Sequence, residues 1–212
     1  MKQRRGVLGS IMKGLHAPFY RSRLRELVRQ IVPHLGRGDR VLDVGCGFGT
    51  LGRAIMDDPA APGDVEVVGL ERARRPGSMI EIETYDGARM PYGDRTFDVV
   101  ILADVLHHEE DPHRLIAESS RVGRRLLIIK DHKLDGPLAQ GRIALLDWAA
   151  NAPYGVPCLY RYNTRRQWAD LHRRHGLEVE LEVLSMNLYP PVVNLLLGRR
   201  LHYLAVLRIE KD

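Results

Sequence analysis

The chain has 212 residues, enough for one domain with a real hydrophobic core. Hydrophobic residues make up 44% and charged residues 28%, which excludes an intrinsically disordered chain. The net charge is +5, yet residues 1–40 hold ten basic and two acidic side chains, so the rest of the chain is mildly acidic; basicity confined to one end argues against a long nucleic-acid footprint.

The first elements follow the same asymmetry. Val7, Leu8, Ile11, Met12 and Leu15 fall at helical spacing while Lys2, Arg4, Arg5 and Lys13 stay off that stripe, which predicts a short basic amphipathic helix. Residues 1–15 could lie on an anionic membrane surface, close over a crevice, or pack on their own domain. Past Pro18 a second helical pattern places Tyr20, Leu24, Leu27, Val28, Ile31 and Leu35 on one face until Pro33 and Gly36 close it. Residues 1–38 are therefore expected to form a helical arm, and the compact domain to run over residues 39–212.

From Arg40 onward, apolar runs alternate with helical patterns. Arg40–Val44, Val65–Leu70, Met79–Thr84, Asp98–Ala103 and Leu126–Lys130 are rich in Val, Ile and Leu, as buried parallel strands are. Helices are expected at Thr50–Met56 and at Pro112–Val122, the second capped by Asp111 with proline in its first position. The expectation is a doubly wound, mostly parallel α/β sheet of the Rossmann-like kind. Between Glu71 and Met79 the link is too short for an ordinary crossover helix, so an irregular connection or a single turn is expected there.

Residues 133–163 carry a helix around Arg142–Ala150 and then a Pro/Gly/Tyr-rich loop, Asn151–Tyr162, read as an insertion on the substrate side. Thr164 and Gln167 form a capping box for a helix that Gly176 closes. Glu178–Leu184 and His202–Ile209 then predict a C-terminal antiparallel hairpin. Cys46 and Cys158 offer neither a disulfide framework nor a zinc spacing, so a reducing cytoplasm is the expected compartment. No stretch approaches the roughly 18 apolar residues of a spanning helix.

The sharpest chemical signal is Val41-Leu42-Asp43-Val44-Gly45-Cys46-Gly47-Phe48-Gly49-Thr50, a strand entering a glycine turn that opens a helix. Such glycines let backbone amides approach a ligand closely. Gly47-Phe48-Gly49-Thr50-Leu51-Gly52 also fits the dinucleotide fingerprint, with Glu71 nineteen residues beyond Gly52, so a nicotinamide-dependent oxidoreductase is one reading. Asp43 argues for another, because a carboxylate beside the turn repels a pyrophosphate and suits a cationic, amino-acid-bearing ligand.

With Asp86-Gly87, Met90-Pro91-Tyr92 and the segment from Phe97 to His108 in order behind the turn, the sequence resembles class I S-adenosylmethionine-dependent methyltransferases of the small-molecule, type 11 branch. The resemblance covers residues 38–132. It implies that Asp43, Gly45, Gly47 and Gly49 form the cofactor loop. It further implies that Glu71 chelates both ribose hydroxyls, and that Asp86, with Gly87, accepts from the adenine amino group. The implied reaction moves the methyl of S-adenosylmethionine to a small, apolar organic acceptor and releases S-adenosylhomocysteine. A nicotinamide enzyme, or a scaffold that binds S-adenosylmethionine without catalysis, remains the alternative.

Ligands of such sheets bind beyond the carboxyl ends of the strands, which points to Asp104, His107 and His108 after the fourth strand and to Asp131 and His132 after the fifth. Asp104 is grouped with the cofactor residues. His132, and less strongly His107, are the candidate general bases, an imidazole being suited to proton removal near neutral pH. Two successive histidines are not expected to share one site, and Asp131 is expected to serve a partner other than His132. Glu109-Glu110-Asp111 lacks a histidine at ligand spacing, so no metal site is expected. Trp148, Tyr154, Tyr160 and Trp168, with the segment Tyr189–Gly198, are candidates to line the substrate cavity. Cys46 is expected to pack in the turn rather than react.

Overall fold

The structure, a computed structural model, describes residues 20–73, 76–151, 158–198 and 200–210. The basic helix expected over residues 2–15, and Tyr154, lie outside these residues. The chain forms helix α1 over residues 20–31 and a 3₁₀ turn at Val32–His34. There follow β1 (Arg40–Val44), α2 (Thr50–Asp57), β2 (Glu66–Glu71), β3 (Ile82–Thr84), β4 (Phe97–Ala103), a 3₁₀ turn at Leu106–His108 and α3 (Pro112–Val122). The second half comprises β5 (Gly123–Leu134), α4 (Ala139–Asn151), β6 (Asn163–Thr164), α5 (Arg165–Arg174), β7 (Leu177–Val183), the short α6 (Pro191–Val193) and β8 (His202–Ile209).

The strands lie in the order β3-β2-β1-β4-β5-β8-β7, with β6 paired to β5. Parallel pairing runs from β3 to β5, and β8 enters antiparallel between β5 and β7. Period-two alternation divides each central strand between two cores. Leu42, Val100, Leu102, Leu127 and Ile129 face Leu115 and Ile116 of α3 and Trp168 of α5. Val41, Val99, Ile101, Leu126 and Ile128 face Leu27 and Ile31 of α1 and Leu51 and Ile55 of α2. The doubly wound sheet is thus present, helices on both faces.

Leu27 and Ile31 are completely buried, and burying a side chain of that size is worth about 1.5–3 kcal/mol. Residues 20–35 therefore pack as part of the same body as the sheet. Local signals set several boundaries: Asp111 accepts the Arg114 N–H at the start of α3, and Thr164 and Gln167 cap α5 reciprocally. Three expected elements change. The Met79–Thr84 strand shortens to Ile82–Thr84, an edge pairing with β2 through three residues. The second N-terminal helix stops at residue 31, where Pro33 leaves only the 3₁₀ turn. The Leu126–Lys130 strand runs instead from Gly123 to Leu134, because β8 pairs with its polar end through Asp131↔Tyr203 and His132↔His202. Among the described residues between β2 and β3 the connection is irregular, with a turn at residues 76–77, in line with the expected irregular or single-turn link.

Candidate active site

Strand order reverses between β1 and β4, and a crevice of about 600 Å³ opens there at the carboxyl ends of the strands. One wall is the turn after β1, with Gly45 and Gly47; another is the end of β2, with Glu71 and Arg72; the third follows β4, with Asp104, Val105 and His108. Asn151 at the end of α4 and Leu159 complete it. The Arg72 guanidinium meets Glu109 at 2.6 Å, linking two of the walls.

Sequence-distant residues shape the glycine turn. Gly47 donates its N–H to Glu71 Oε1 at 2.8 Å, and the Arg72 N–H reaches Glu71 Oε2 at 3.1 Å. A Cβ on Gly47 would meet no atom within 4 Å, so this stretch of backbone is left uncovered. Gly49 is the left-handed N-cap of α2, and a Cβ there would collide with Ile80.

Asp43 lies beneath the turn rather than on the crevice wall, 2% exposed, with Oδ2 unpartnered. Its carboxyl accepts the Gly52 N–H, and burial lifts its pKa to about 7 despite the nearby Arg23. Asp86 is exposed and accepts the N–H groups of Ala88 and Arg89, which hold its carboxyl below the usual range. Gly87 leaves room for the Arg72 guanidinium, only 2.6 Å from where a Cβ would stand. Neither Asp86 nor Gly87 is on the crevice wall; their neighbour Tyr85 is. Cys46 is pushed to about 12 by burial, which leaves it unreactive.

Beyond the wall lies a buried polar layer. Asp104, at a left-handed φ of 59°, pairs with Arg23 of α1 and with Lys130 of β5, which is 1% exposed. Burial opposes ionisation of Asp104, but the two cations hold its pKa well below the usual carboxylate range. Burial lowers that of Lys130. His107 Nδ1 is 2.6 Å from Asp131 Oδ1, while its Nε2 lies 3.5 Å from Asp147 Oδ1. Burial opposes protonation there, yet Asp131 and Asp147 raise the imidazole to about 10, so His107 is a cation and not a base at neutral pH. His132 is instead lowered to about 4 by burial, with Nδ1 unpartnered and its ring 4.9 Å from that of His107.

Asp131 serves His107, as the alternation of the strand suggested. The expectation that His107 and His108 cannot share a site is corrected: the 3₁₀ turn sets their rings 4.0 Å apart, and both reach Asp147. Trp168 belongs to the core, stacked 5.1 Å from Tyr203, whereas Trp148 and Tyr160 are exposed. Four residues of this layer were not singled out from sequence: Arg23, Lys130 as an ion-pair partner, Asp147 and Tyr162. Asp147 carried a signal, a lone acid inside the apolar run Ala144-Leu145-Leu146-Asp147-Trp148.

Residues 16–182 match the family model described as a methyltransferase domain. The chain belongs to this methyltransferase family. It is 33% identical over 112 residues to the 27-O-demethylrifamycin SV methyltransferase of Amycolatopsis mediterranei, covering 49% of this chain and 41% of that one. To the demethylmenaquinone methyltransferase of Renibacterium salmoninarum it is 29% identical over 152 residues, 63% of this chain and 61% of the relative. The chain thus spans about two fifths to three fifths of these relatives' lengths. In structure it resembles the chain solved in complex with the Trm112 methyltransferase activator of Haloferax volcanii, with a TM-score of 0.69 at 15% identity, covering 98% and 96% of the two chains. That likeness shows the methyltransferase fold.

Proposed function

We propose that this chain transfers the methyl of S-adenosylmethionine to a small, apolar organic acceptor. The observation that carries the reading is the Glu71 carboxylate on the crevice wall, pinned by Gly47. A carboxylate has about four lone-pair sites, and Gly47 and Arg72 use one on each oxygen, so each keeps a site for one of two adjacent ribose hydroxyls. The uncovered backbone at Gly47 fits a ligand in close contact. The residues present therefore fit the cofactor: Glu71 would hold the ribose, the Gly45–Gly47 turn the amino-acid end, and Tyr85 the approach to the base.

When bound, S-adenosylmethionine supplies a methyl already activated on a sulfonium, so transfer needs a nucleophile in line at about 3–3.5 Å. The chain's part is then to orient the acceptor and exclude water. Neither His107 nor His132 is on the crevice wall, so positioning rather than proton removal by these imidazoles carries the step. Trp148 and Tyr160 are exposed and lie close in sequence to the crevice residues Asn151 and Leu159, a placement that suits an apolar acceptor. A demethylated rifamycin and a demethylated menaquinone in the relatives' names agree with that class.

Calorimetry with S-adenosylhomocysteine and, separately, NADH tests the cofactor. Binding of the first alone is expected, and binding of NADH alone would overturn the reading in favour of a nicotinamide enzyme. Incubation with S-adenosylmethionine and a cell extract should release S-adenosylhomocysteine; a chain that binds the product yet never forms it is a scaffold instead.

A further inference from the structure

We propose that His107, His108 and Asp147 form a binding site for a divalent transition metal of zinc's class at the acceptor end of the crevice. The 3₁₀ turn after β4 presents both imidazoles, and α4 presents the carboxylate. One donor atom from each lies within 4.8 Å of the others, with His107 Nε2 3.5 Å and His108 Nε2 3.9 Å from Asp147 Oδ1. Zinc with nitrogen and oxygen ligands at about 2.0–2.2 Å in a tetrahedron sets its donors roughly 3.3–3.5 Å apart. The two edges to Asp147 are thus at or near that spacing, and the edge between the imidazoles, within 4.8 Å, closes by movement of His108, the most exposed of the three.

Both ends of the cluster are oriented from behind. Asp131 Oδ1 at 2.6 Å from His107 Nδ1 turns Nε2 toward Asp147, the carboxylate–imidazole relay that backs metal-binding histidines; the metal displaces the Nε2 proton that the free His107 carries, which is released to solvent. The Tyr162 hydroxyl donates to Asp147 Oδ2 at 2.7 Å, and the Asn151 amide to Oδ1 at 2.7 Å, which fix the carboxylate plane. The Cys158 thiol also hydrogen-bonds to Asp147, bringing a sulfur of the kind zinc accepts to the same carboxylate. Two carboxylates around two imidazoles supply the counter-charge for a dication, and a nitrogen-rich donor set favours zinc or cobalt over magnesium or calcium.

Asp104, His107 and His132 also converge, but the Arg23 and Lys130 cations on Asp104 repel a metal there. His108 and Asn151 are on the crevice wall, so an open coordination position would face it. There, on the methyltransferase reading and resting on it, a metal acts as a Lewis acid on the acceptor's oxygen.

One exposed pair complicates the measurement: His113 Nδ1 and His175 Nε2 are 3.0 Å apart and can hold a metal by themselves. The test therefore uses His113→Ala as background, stripped with a chelator and titrated with Co²⁺ and Zn²⁺ while S-adenosylhomocysteine binding is followed in parallel. One equivalent of Co²⁺ with ligand-field absorption of a four-coordinate site is expected. Adding His108→Ala, or Asp147→Asn, should weaken metal binding by about tenfold or more; in Asp147→Asn, whose side chain is not on the crevice wall, the S-adenosylhomocysteine affinity should stay near that of the background. His108→Ala removes a partly exposed ring and keeps the test valid if Asp147→Asn fails to fold. Equal metal affinity in both variants, or a folded background chain that binds S-adenosylhomocysteine but no metal, would overturn the site. A background chain that binds the metal but no S-adenosylhomocysteine would count against the cofactor reading and not against the metal.

Discussion

Gly47 and Glu71, twenty-four residues apart, are joined by a 2.8 Å hydrogen bond from the backbone of the turn after β1 to the side chain that ends β2. The carboxylate is thereby fixed before any ligand arrives, and the conformational loss on binding falls accordingly.

Glu71→Ala should weaken S-adenosylhomocysteine binding by at least about tenfold, since two hydroxyls lose a partner at roughly 1–3 kcal/mol. Glu71→Gln can still accept from Gly47 and should fall between the two. Asp86→Ala should matter less, because that side chain is exposed and already engaged by Ala88 and Arg89. Calorimetry on the three variants checks the ranking; an unchanged affinity in Glu71→Ala would remove Glu71 from the cofactor site.

Gly45 and Gly47 share a left-handed backbone but differ in what surrounds them. Their φ values are 70° and 62°, so alanine at either carries a strain of about 1–2 kcal/mol. At Gly45 the new Cβ would also come within 2.6 Å of Val105 Cγ2, whereas at Gly47 it meets nothing within 4 Å. Gly45→Ala should therefore lose more stability to urea than Gly47→Ala, while Gly47→Ala should lose ligand affinity beyond its loss of stability. Equal stability losses would mean that Val105 gives way freely.

What the sequence disclosed was local. The Asp111 cap, the Thr164–Gln167 capping box and the continuous apolar runs of the parallel strands depend on neighbours a few residues away, and each is present. Residues whose environment comes from distant chain were misjudged. Lys130-Asp131-His132 reads as the polar end of a strand, and β5 continues through it because β8 pairs there, Asp104 pairs with Lys130, His107 with Asp131, and the Trp168 indole donates to the His132 carbonyl. Arg23, in a helix read as part of an arm, reaches Asp104 eighty-one residues on, a contact no spacing rule contains.

Lys130→Met should destabilise the fold by about 3 kcal/mol, the low end for breaking a buried ion pair, because Arg23 continues to neutralise Asp104. Urea denaturation at neutral pH measures it. A loss below about 1 kcal/mol would show that Arg23 alone suffices.

His172 on α5 gives the acid response a separable component. It is 2% exposed, both ring nitrogens lack a partner, and its ring lies near Trp168 and Tyr203. Burial lowers its pKa from 6.5 to about 4, with Glu182 opposing and His175 assisting. Above the unfolded pKa both states are neutral and the imidazole adds no pH dependence. As pH falls from 6.5 toward 4, the unfolded chain binds the proton first, so stability is lost through that window and levels off below it. Between about pH 7 and about pH 4.5 this one group accounts for roughly 2.5 kcal/mol. His132 and His202, lowered by burial as well, add losses of the same sign, whereas Asp43 and His107, whose pKa values are raised in the fold, gain stability over the same window, so the wild-type change is a sum of both signs and only the His172 share is isolated by substitution. His172→Leu keeps an apolar side chain of similar size and removes only its own share: the difference between its urea stabilities at the two pH values should be smaller than the wild-type difference by about 2.5 kcal/mol. Identical differences in the two proteins would mean that His172 takes up its proton as readily in the fold as out of it.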